Sequence, residues 1–190
     1  GNFVEVEGLL EDAINKVKNV ILEKDNLDDM DIEDVSKKVG LGAVVFSNLL
    51  DSRVKDAVFD INSAISFQGD TGPYVQYMVV RTNSVLAKVD NKVNIDIDFN
   101  ILTDDSSINL IRVLANFEEV LRSALEKNEP SFISRYLLDV AKAFSVFYNN
   151  NKIICDDEKM QDARVCLTYV TNKVLNRGLN LLGIQVPDKM

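Results

Sequence analysis

The chain has 190 residues, of which 46% are hydrophobic, and it carries a net charge of −9 and no histidine. It is long enough to bury a sizeable core, and no apolar run approaches the ~20 residues that a membrane-spanning helix needs. Without histidine, imidazole-based acid–base catalysis and histidine-containing zinc sites are excluded, and the acidic balance argues against a broad phosphate-binding surface.

The first helix is predicted at 8–24. Apolar residues recur there at i, i+3, i+4 and i+7, which is the pattern of an amphipathic helix. An acidic linker follows at 25–31. Its last residue, Asp31, is the expected N-cap of a second helix, because its carboxylate can accept hydrogen bonds from the free N–H groups of a first turn.

Two glycines interrupt the next region. Gly40 and Gly42 are expected to end or bend the second helix before a short apolar helix at 43–50. The irregular sequence that follows permits a short extended piece at 57–61.

A further helix is predicted at 72–89. Thr71 and Asp70 are its candidate N-caps, and Pro73 suits a first turn because the N–H that proline lacks would have no partner there. Apolar and polar residues then alternate over 93–100, which is the period of an extended segment. Because no second strand is evident to pair with it, this segment is interpreted as a strand-like connector.

Three long helices complete the chain, at 105–127, 131–149 and 157–182. Pro130 suits the first turn of the middle helix, and Gly183 suits the C-cap of the last. Long helices in succession with short connections predict that the second part of the chain is a helical bundle.

Tyr74, Tyr77 and Arg81 share one face of the predicted helix at 72–89, because they are spaced i, i+3 and i+7. The structural interpretation is that both rings pack into the bundle with their hydroxyls at its rim. The functional interpretation is a platform on which unpaired RNA bases stack. The charge distribution permits the second, since residues 71–190 contain 14 Lys and Arg against 15 Asp and Glu, whereas residues 1–70 contain 7 against 15. Spacing alone does not decide between them.

A second candidate site is the corner formed by Tyr148, the asparagines at 149–151 and Lys152. One interpretation is a helix C-terminus in which asparagine adopts a left-handed conformation. The other is an RNA-facing corner with one ring and several amide groups.

The remaining reactive residues are interpreted as structural. Cys155 and Cys166 are predicted to be buried and reduced. The carboxylates at 156–158 suit the N-cap and first turn of the last helix, and the acidic linker at 25–31 lacks the spacing of a calcium loop.

The string FQGDTGPYVQYMVVR, at 67–81, resembles a signature of the arginyl-tRNA synthetases, in which Phe-x-Gly-Asp/Asn-Thr precedes Pro-Tyr-x-Gln-Tyr-x-x-x-Arg. Two later strings, EPSFISRYLLDVAKAFSVFYN and DARVCLTYVTNKVLNRGLNLLGIQVPDKM, are similar to the family's terminal anticodon-binding helices. VGLGAVVFSNL resembles the stretch that closes the family's catalytic portion. The resemblance spans the chain, and two separated strings agree in order and spacing.

The resemblance implies an all-α C-terminal fragment. Residues 1–68 match the helical tail of the catalytic domain and 69–190 the helical anticodon-binding domain. The family's His-Ile-Gly-His-type signature cannot be present without histidine, so the fragment is expected to have no catalytic residues, no metal site and no aminoacylation activity. ATP and magnesium would serve the full-length arginine–tRNA ligase. The implied partner is tRNA(Arg), with no DNA or membrane, and the fragment is expected to be monomeric and cytoplasmic.

The resemblance also implies which residues contact RNA. Gln76 belongs to the motif but is assigned to packing or helix support. Lys152 stands where some members carry a second aromatic residue, and lysine can attract phosphate but cannot stack on a base. The residues that match family positions facing the anticodon loop are Tyr74, Tyr77, Arg81, Tyr148 and Met190.

Two other functions are weighed against this one. A helical protein-interaction module would dock a partner protein on the tyrosine face and have no RNA ligand. A free-standing enzyme with paired carboxylates has little support, because no pair of acidic residues is placed near a nucleophile or metal cluster.

Overall fold

The computed structural model describes residues 6–23, 30–54, 59–90 and 92–190. Every regular element in these ranges is a helix, so the predicted all-α class is confirmed. The α-helices are α1 (Val6–Leu22), α2 (Ile32–Leu50), α3 (Ile61–Ala64), α4 (Gly72–Ala87), α5 (Asp105–Ala115), α6 (Phe117–Lys127), α7 (Ser131–Asn150) and α8 (Glu158–Leu181), with a short 3-10 helix at Phe99–Ile101.

The predicted N-caps form as expected. The side chains of Asp31, Thr71 and Asp157 each accept a hydrogen bond from the backbone N–H three residues later, at 3.0–3.2 Å. At the other end of α8, Gly183 adopts a φ of +74°, a left-handed conformation that favours glycine. Local sequence therefore specifies where these helices start and stop.

The helix α2 is continuous through Gly40 and Gly42, so the predicted break between two helices is wrong. Each of the two glycines allows a neighbouring helix to approach α2 closely. A Cβ at Gly40 would lie 2.8 Å from the Cα of Ile14 in α1, and a Cβ at Gly42 would lie 2.7 Å from the Nε2 of Gln76 in α4. Packing against two neighbouring helices, and not the end of a helix, explains these residues.

The single helix predicted at 105–127 is two helices, α5 and α6, which meet at Asn116. The Asn116 side chain donates a hydrogen bond to the carbonyl of Arg112 at 3.1 Å, and side-chain bonds of this kind compete with helix propagation. The ring of Phe117 then stacks on Tyr136 of α7, with centroids 5.8 Å apart. The break turns α6 so that its first residue packs on α7.

The segments predicted to be extended form no strand in the described part of the chain. Ile95 is 75% exposed, so the alternation at 93–100 does not bury one face as predicted, although the segment is the connector that was expected. The piece predicted at 57–61 falls partly outside the described residues, and its last residue begins α3. Most of the predicted acidic linker also lies outside the described residues.

Two hydrophobic clusters hold the helices together. The larger lies among α4, α5, α7 and α8 and includes Phe46 of α2. The smaller joins α1 to the first half of α2 through Val17, Ile21, Val35 and Val39. Because α2 contributes to both, it connects the first pair of helices to the bundle.

Replacing Gly40 by alanine tests the close approach of α1 and α2. Gly40→Ala should lower the free energy of unfolding by about 1–3 kcal/mol, because the new Cβ meets backbone atoms that cannot move independently. Gly8→Ala is the matched control, since a Cβ there meets nothing within 4 Å and alanine favours the helix by up to about 1 kcal/mol. Equal stability of the two variants in chemical denaturation would contradict this account.

Candidate nucleic-acid interface

Three of the five predicted site residues contact one another where α4 meets α7. The guanidinium of Arg81 donates a hydrogen bond from Nη2 to the hydroxyl of Tyr77 at 2.6 Å. Its Cζ lies 4.8 Å from the centroid of the Tyr77 ring and 4.7 Å from that of Tyr148. Arg81 therefore makes cation–π contacts with two rings from different helices.

The larger cluster supports this surface from behind. Phe144, which is fully buried in α7, lies 6.0 Å from the Tyr148 ring, centroid to centroid. The rings of Tyr77 and Tyr148 are half-buried and pack against the same cluster. The rings therefore pack into the bundle on one side, as the structural interpretation predicts, and remain accessible on the other. Stacking of RNA bases on that accessible side stays a prediction.

Tyr74 lies one turn before Tyr77 on α4, beside an ion pair. The Nζ of Lys142 on α7 is 2.6 Å from Oδ1 of Asp70, a residue predicted as an alternative N-cap of α4. The hydrogen bond that Lys142 donates to Asp70 raises the pKa of Lys142, with smaller contributions that include Asp139 and the Tyr74 phenol. Both charged partners are exposed, so the pair contributes little stability, but it places a cation next to Tyr74.

Met190 lies elsewhere. It packs against the smaller cluster of Val17, Ile21, Val35 and Val39, whereas the three tyrosines pack against the larger one. The five predicted residues are therefore not one continuous patch built on one core. The chain after α8 carries Met190 back to α1 and α2.

The asparagine corner is the C-terminus of α7, as one interpretation predicts, although no asparagine there adopts the expected left-handed conformation. Asn151 has a φ of −127°, so it is extended and not left-handed, and its side chain is buried. Its amide donates to the carbonyl of Phe147 at 3.1 Å and to the hydroxyl of Ser106 at 2.9 Å. Lys152 is exposed at the same corner. Asn151 thus ends α7 and is not free to contact RNA.

Sequence reasoning missed Asp104, which fixes this corner from the side of α5. Burial opposes its ionisation, but hydrogen bonds from Ser106, Ser107 and Asn151 hold the pKa of its carboxyl well below the ordinary range. The signal was present, since Asp104 directly precedes a predicted helix and is its N-cap. The carboxylate ties the start of α5 to the end of α7, behind Tyr148.

The other reactive groups are dispersed. Both cysteines are free, but only Cys166 is buried, which raises the pKa of its thiol; Cys155 is half-buried, so its predicted burial is wrong. Within the described ranges no three carboxylates or thiols are grouped where they could hold a metal ion. Among the same residues no helix is long and apolar enough to span a bilayer.

Comparison with known families gives one match. Residues 75–190 match the family described as the DALR anticodon binding domain. Among curated proteins, the whole chain is 45% identical to an arginine–tRNA ligase of Halothermothrix orenii and 41% identical to one of Clostridioides difficile. In both cases the aligned region covers 33% of the relative, so the chain spans about a third of the length of the curated relatives it matches.

Solved structures give the same result. The Thermus thermophilus arginyl-tRNA synthetase superposes on 98% of this chain with a TM-score of 0.89 and 32% identity, over 32% of its own length. The Plasmodium falciparum enzyme covers 99% of the chain with a TM-score of 0.84, over 34% of its own length; at 22% identity this likeness concerns the fold alone.

The pH dependence of folding tests the role of Asp104. A carboxyl whose pKa is lower in the folded than in the unfolded state stabilises the fold above its unfolded pKa of about 3.9 and loses that contribution as the pH falls. Asp104→Asn should therefore lower the free energy of unfolding at pH 7 by about 1–2 kcal/mol and flatten its decline below about pH 4. Chemical denaturation at several pH values measures both effects. Asp105→Asn, at the exposed neighbouring position, is the control and should keep the wild-type slope.

Proposed function

Because this chain belongs to the DALR anticodon binding domain family, we propose that it recognises the anticodon loop of tRNA(Arg) as the C-terminal, RNA-binding part of an arginine–tRNA ligase. The observation that carries the proposal is the contact of Arg81 with the rings of Tyr77 and Tyr148. Half-buried aromatic rings and an arginine on one surface suit single-stranded RNA, which is read by stacking and by hydrogen bonds to base edges.

The cluster suits this role because it is organised before RNA arrives. The hydrogen bond from Arg81 to Tyr77 and the packing of Tyr148 on Phe144 restrict the side chains that would meet the bases. Less rotamer freedom is then lost on binding. Unpaired bases of the loop stack on the accessible ring surfaces, and Arg81 supplies donors for base edges or phosphate.

The acidic balance of the chain is compatible with this mode of binding. A few unstacked bases need ring faces and edge contacts more than a wide field of lysines and arginines. Around the cluster, Lys142 lies beside Tyr74 and Lys152 is exposed at the end of α7. These cations attract the loop phosphates, and Lys152 takes no part in stacking.

Tyr74 extends the proposed surface by one helical turn, and Met190 supplies a second contact. Since Met190 rests on α1 and α2, the loop would have to bridge the larger and smaller clusters to touch it and the tyrosines at once. Residues 69–190 form the anticodon-binding domain in this proposal, and the family match over 75–190, which lies inside that range, supports it. Residues 1–68 are then the tail of the catalytic domain.

The ligase reaction itself is assigned to other parts of the full-length protein. The chain has no histidine, so it cannot hold the His-Ile-Gly-His-type signature that handles ATP in this family. ATP and magnesium therefore bind outside this chain. We infer that the chain alone does not aminoacylate tRNA, and that it acts as a monomer within a cytoplasmic enzyme.

Substitution of Tyr148 tests the stacking surface. Tyr148→Ala should weaken binding of a labelled tRNA(Arg) anticodon stem-loop by about 1–3 kcal/mol, the usual worth of a stacked base, and Tyr74→Ala should act in the same direction. Fluorescence titration at low salt measures the affinity. Tyr148→Phe keeps the ring and should bind nearly as the wild type does.

Tyr169→Ala provides the matched control. Tyr169 is also half-buried against the larger cluster, but it lies on α8 beneath Lys173 and not at the α4–α7 junction. An equal loss from Tyr169→Ala and Tyr148→Ala would mean that lost packing, and not a lost base contact, weakens binding. A partner protein that survives ribonuclease treatment, with no preference among RNAs, would favour the protein-interaction module instead.

Arginine-dependent ATP–pyrophosphate exchange tests whether the ligase reaction depends on parts of the enzyme outside this chain. The chain alone should show no exchange above the buffer rate, since it has no counterpart of the ATP-handling signature. Any turnover that depends on arginine would contradict the assignment of ATP binding to other parts of the ligase.

A further inference from the structure

Gln76 lies between Tyr74 and Tyr77 in the chain but points to the other side of α4. Its side chain is fully buried. Nε2 donates one hydrogen bond to the carbonyl of Lys38 in α2, at 3.1 Å, and another to the carbonyl of Gln185, at 2.7 Å. One amide thus connects α4, α2 and the chain that follows α8.

The neighbouring carbonyl groups determine the orientation of the Gln76 amide group. Two carbonyl oxygens face the same terminal atom, so that atom must be the nitrogen, which carries two N–H groups. The Oε1 atom is buried and accepts no hydrogen bond from the described residues. Gly42 leaves the space that the amide fills, because a Cβ there would lie 2.7 Å from Nε2. The two donated bonds therefore fix the orientation of the amide.

The segment reached by Gln76 is the C-terminal tail, defined here as residues 184–190. Its first residue, Ile184, is buried and donates its backbone N–H to Leu179 at 2.9 Å. Beyond it, the bond from Gln76 reaches the tail at the backbone carbonyl of Gln185. The tail ends at Met190, which packs on the smaller cluster.

We propose that Gln76 is a positioning residue that fixes the C-terminal tail, and with it Met190, relative to the tyrosine face of α4. A side chain on the inner side of α4 thereby sets the distance between the two contacts proposed for the anticodon loop. The part of this inference that concerns RNA rests on the proposed function; the part that concerns the tail does not.

The first experiment measures the tail without RNA. Gln76→Leu removes both donors and replaces the amide with an apolar side chain of similar size, so the tail should detach more often. Release of Asp188, Lys189 and Met190 by a broad-specificity carboxypeptidase, followed by mass spectrometry, should become about tenfold faster, because cleavage tracks the population of the open tail. An unchanged rate would overturn the proposal.

Thr82→Val is the matched control. Thr82 is also a fully buried polar residue of α4, and its hydroxyl accepts from Asn172 of α8 at 2.7 Å, away from the tail. The Thr82→Val substitution should lower the melting temperature without accelerating release of the tail residues. If Thr82→Val accelerates trimming as much as Gln76→Leu does, general loosening explains the result and the proposal fails.

Gly42→Ala reaches the same contact from the opposite side and serves if Gln76→Leu does not fold. Its Cβ would push the flexible end of Gln76 away from the two carbonyls. It should accelerate trimming in the same direction, and wild-type trimming of a folded Gly42→Ala protein would also overturn the proposal.

The second experiment is a double-mutant cycle on binding of the anticodon stem-loop. If Gln76 acts through the tail, Gln76→Leu should weaken binding about threefold to tenfold alone and have little further effect in a Met190→Ala background. Equal losses in both backgrounds would overturn the proposed link to Met190. If Tyr148→Ala has no effect on binding, the proposed function fails, whereas the trimming result still decides whether Gln76 positions the tail.

Discussion

The close approach of α2 and α4 is the contact on which the rest of the structure depends. A Cβ at Gly72, the first residue of α4, would lie 2.8 Å from the carbonyl oxygen of Gly42 and 2.7 Å from the Cβ of Phe46. The lack of a side chain at Gly72 allows α4 to pack this closely on α2. The approach brings Phe46 into the larger cluster and Gln76 within reach of the α2 backbone.

The outer face of α4 follows from that inner contact. With the side of Gln76 held against α2 and the tail, Tyr77 and Arg81 must face α7, where Arg81 meets Tyr148. The end of α7 is fixed in turn by Asn151 and Asp104, whose hydrogen bonds connect it to α5. Buried polar contacts behind the proposed RNA surface therefore fix its position. Its positive charge comes from a few side chains, although the chain as a whole is acidic.

Much of the fold was predictable because its determinants are local. Asp31, Thr71 and Asp157 each cap a helix that begins at the next residue. Amphipathic spacing predicted most helix bounds within about two residues. The errors came where long-range packing competes with local preference. In sequence, Gly40 and Gly42 resemble residues that end a helix, but here they are needed because neighbouring helices pack against them. The hydrophobic pattern at 105–127 did not predict a break, because the break depends on the stacking of Phe117 on Tyr136.

The sequence by itself determined the all-α class, the starts of α2, α4 and α8, and the shared face of Tyr74, Tyr77 and Arg81, because periodicity and capping act within a few residues. Only the tertiary structure decided that Tyr148 joins Arg81 and that Met190 rests on another cluster. Those contacts join residues far apart in the chain, and they form only when burial of the two cores and the bonds of Gln76 bring α2, α4, α7 and the tail together.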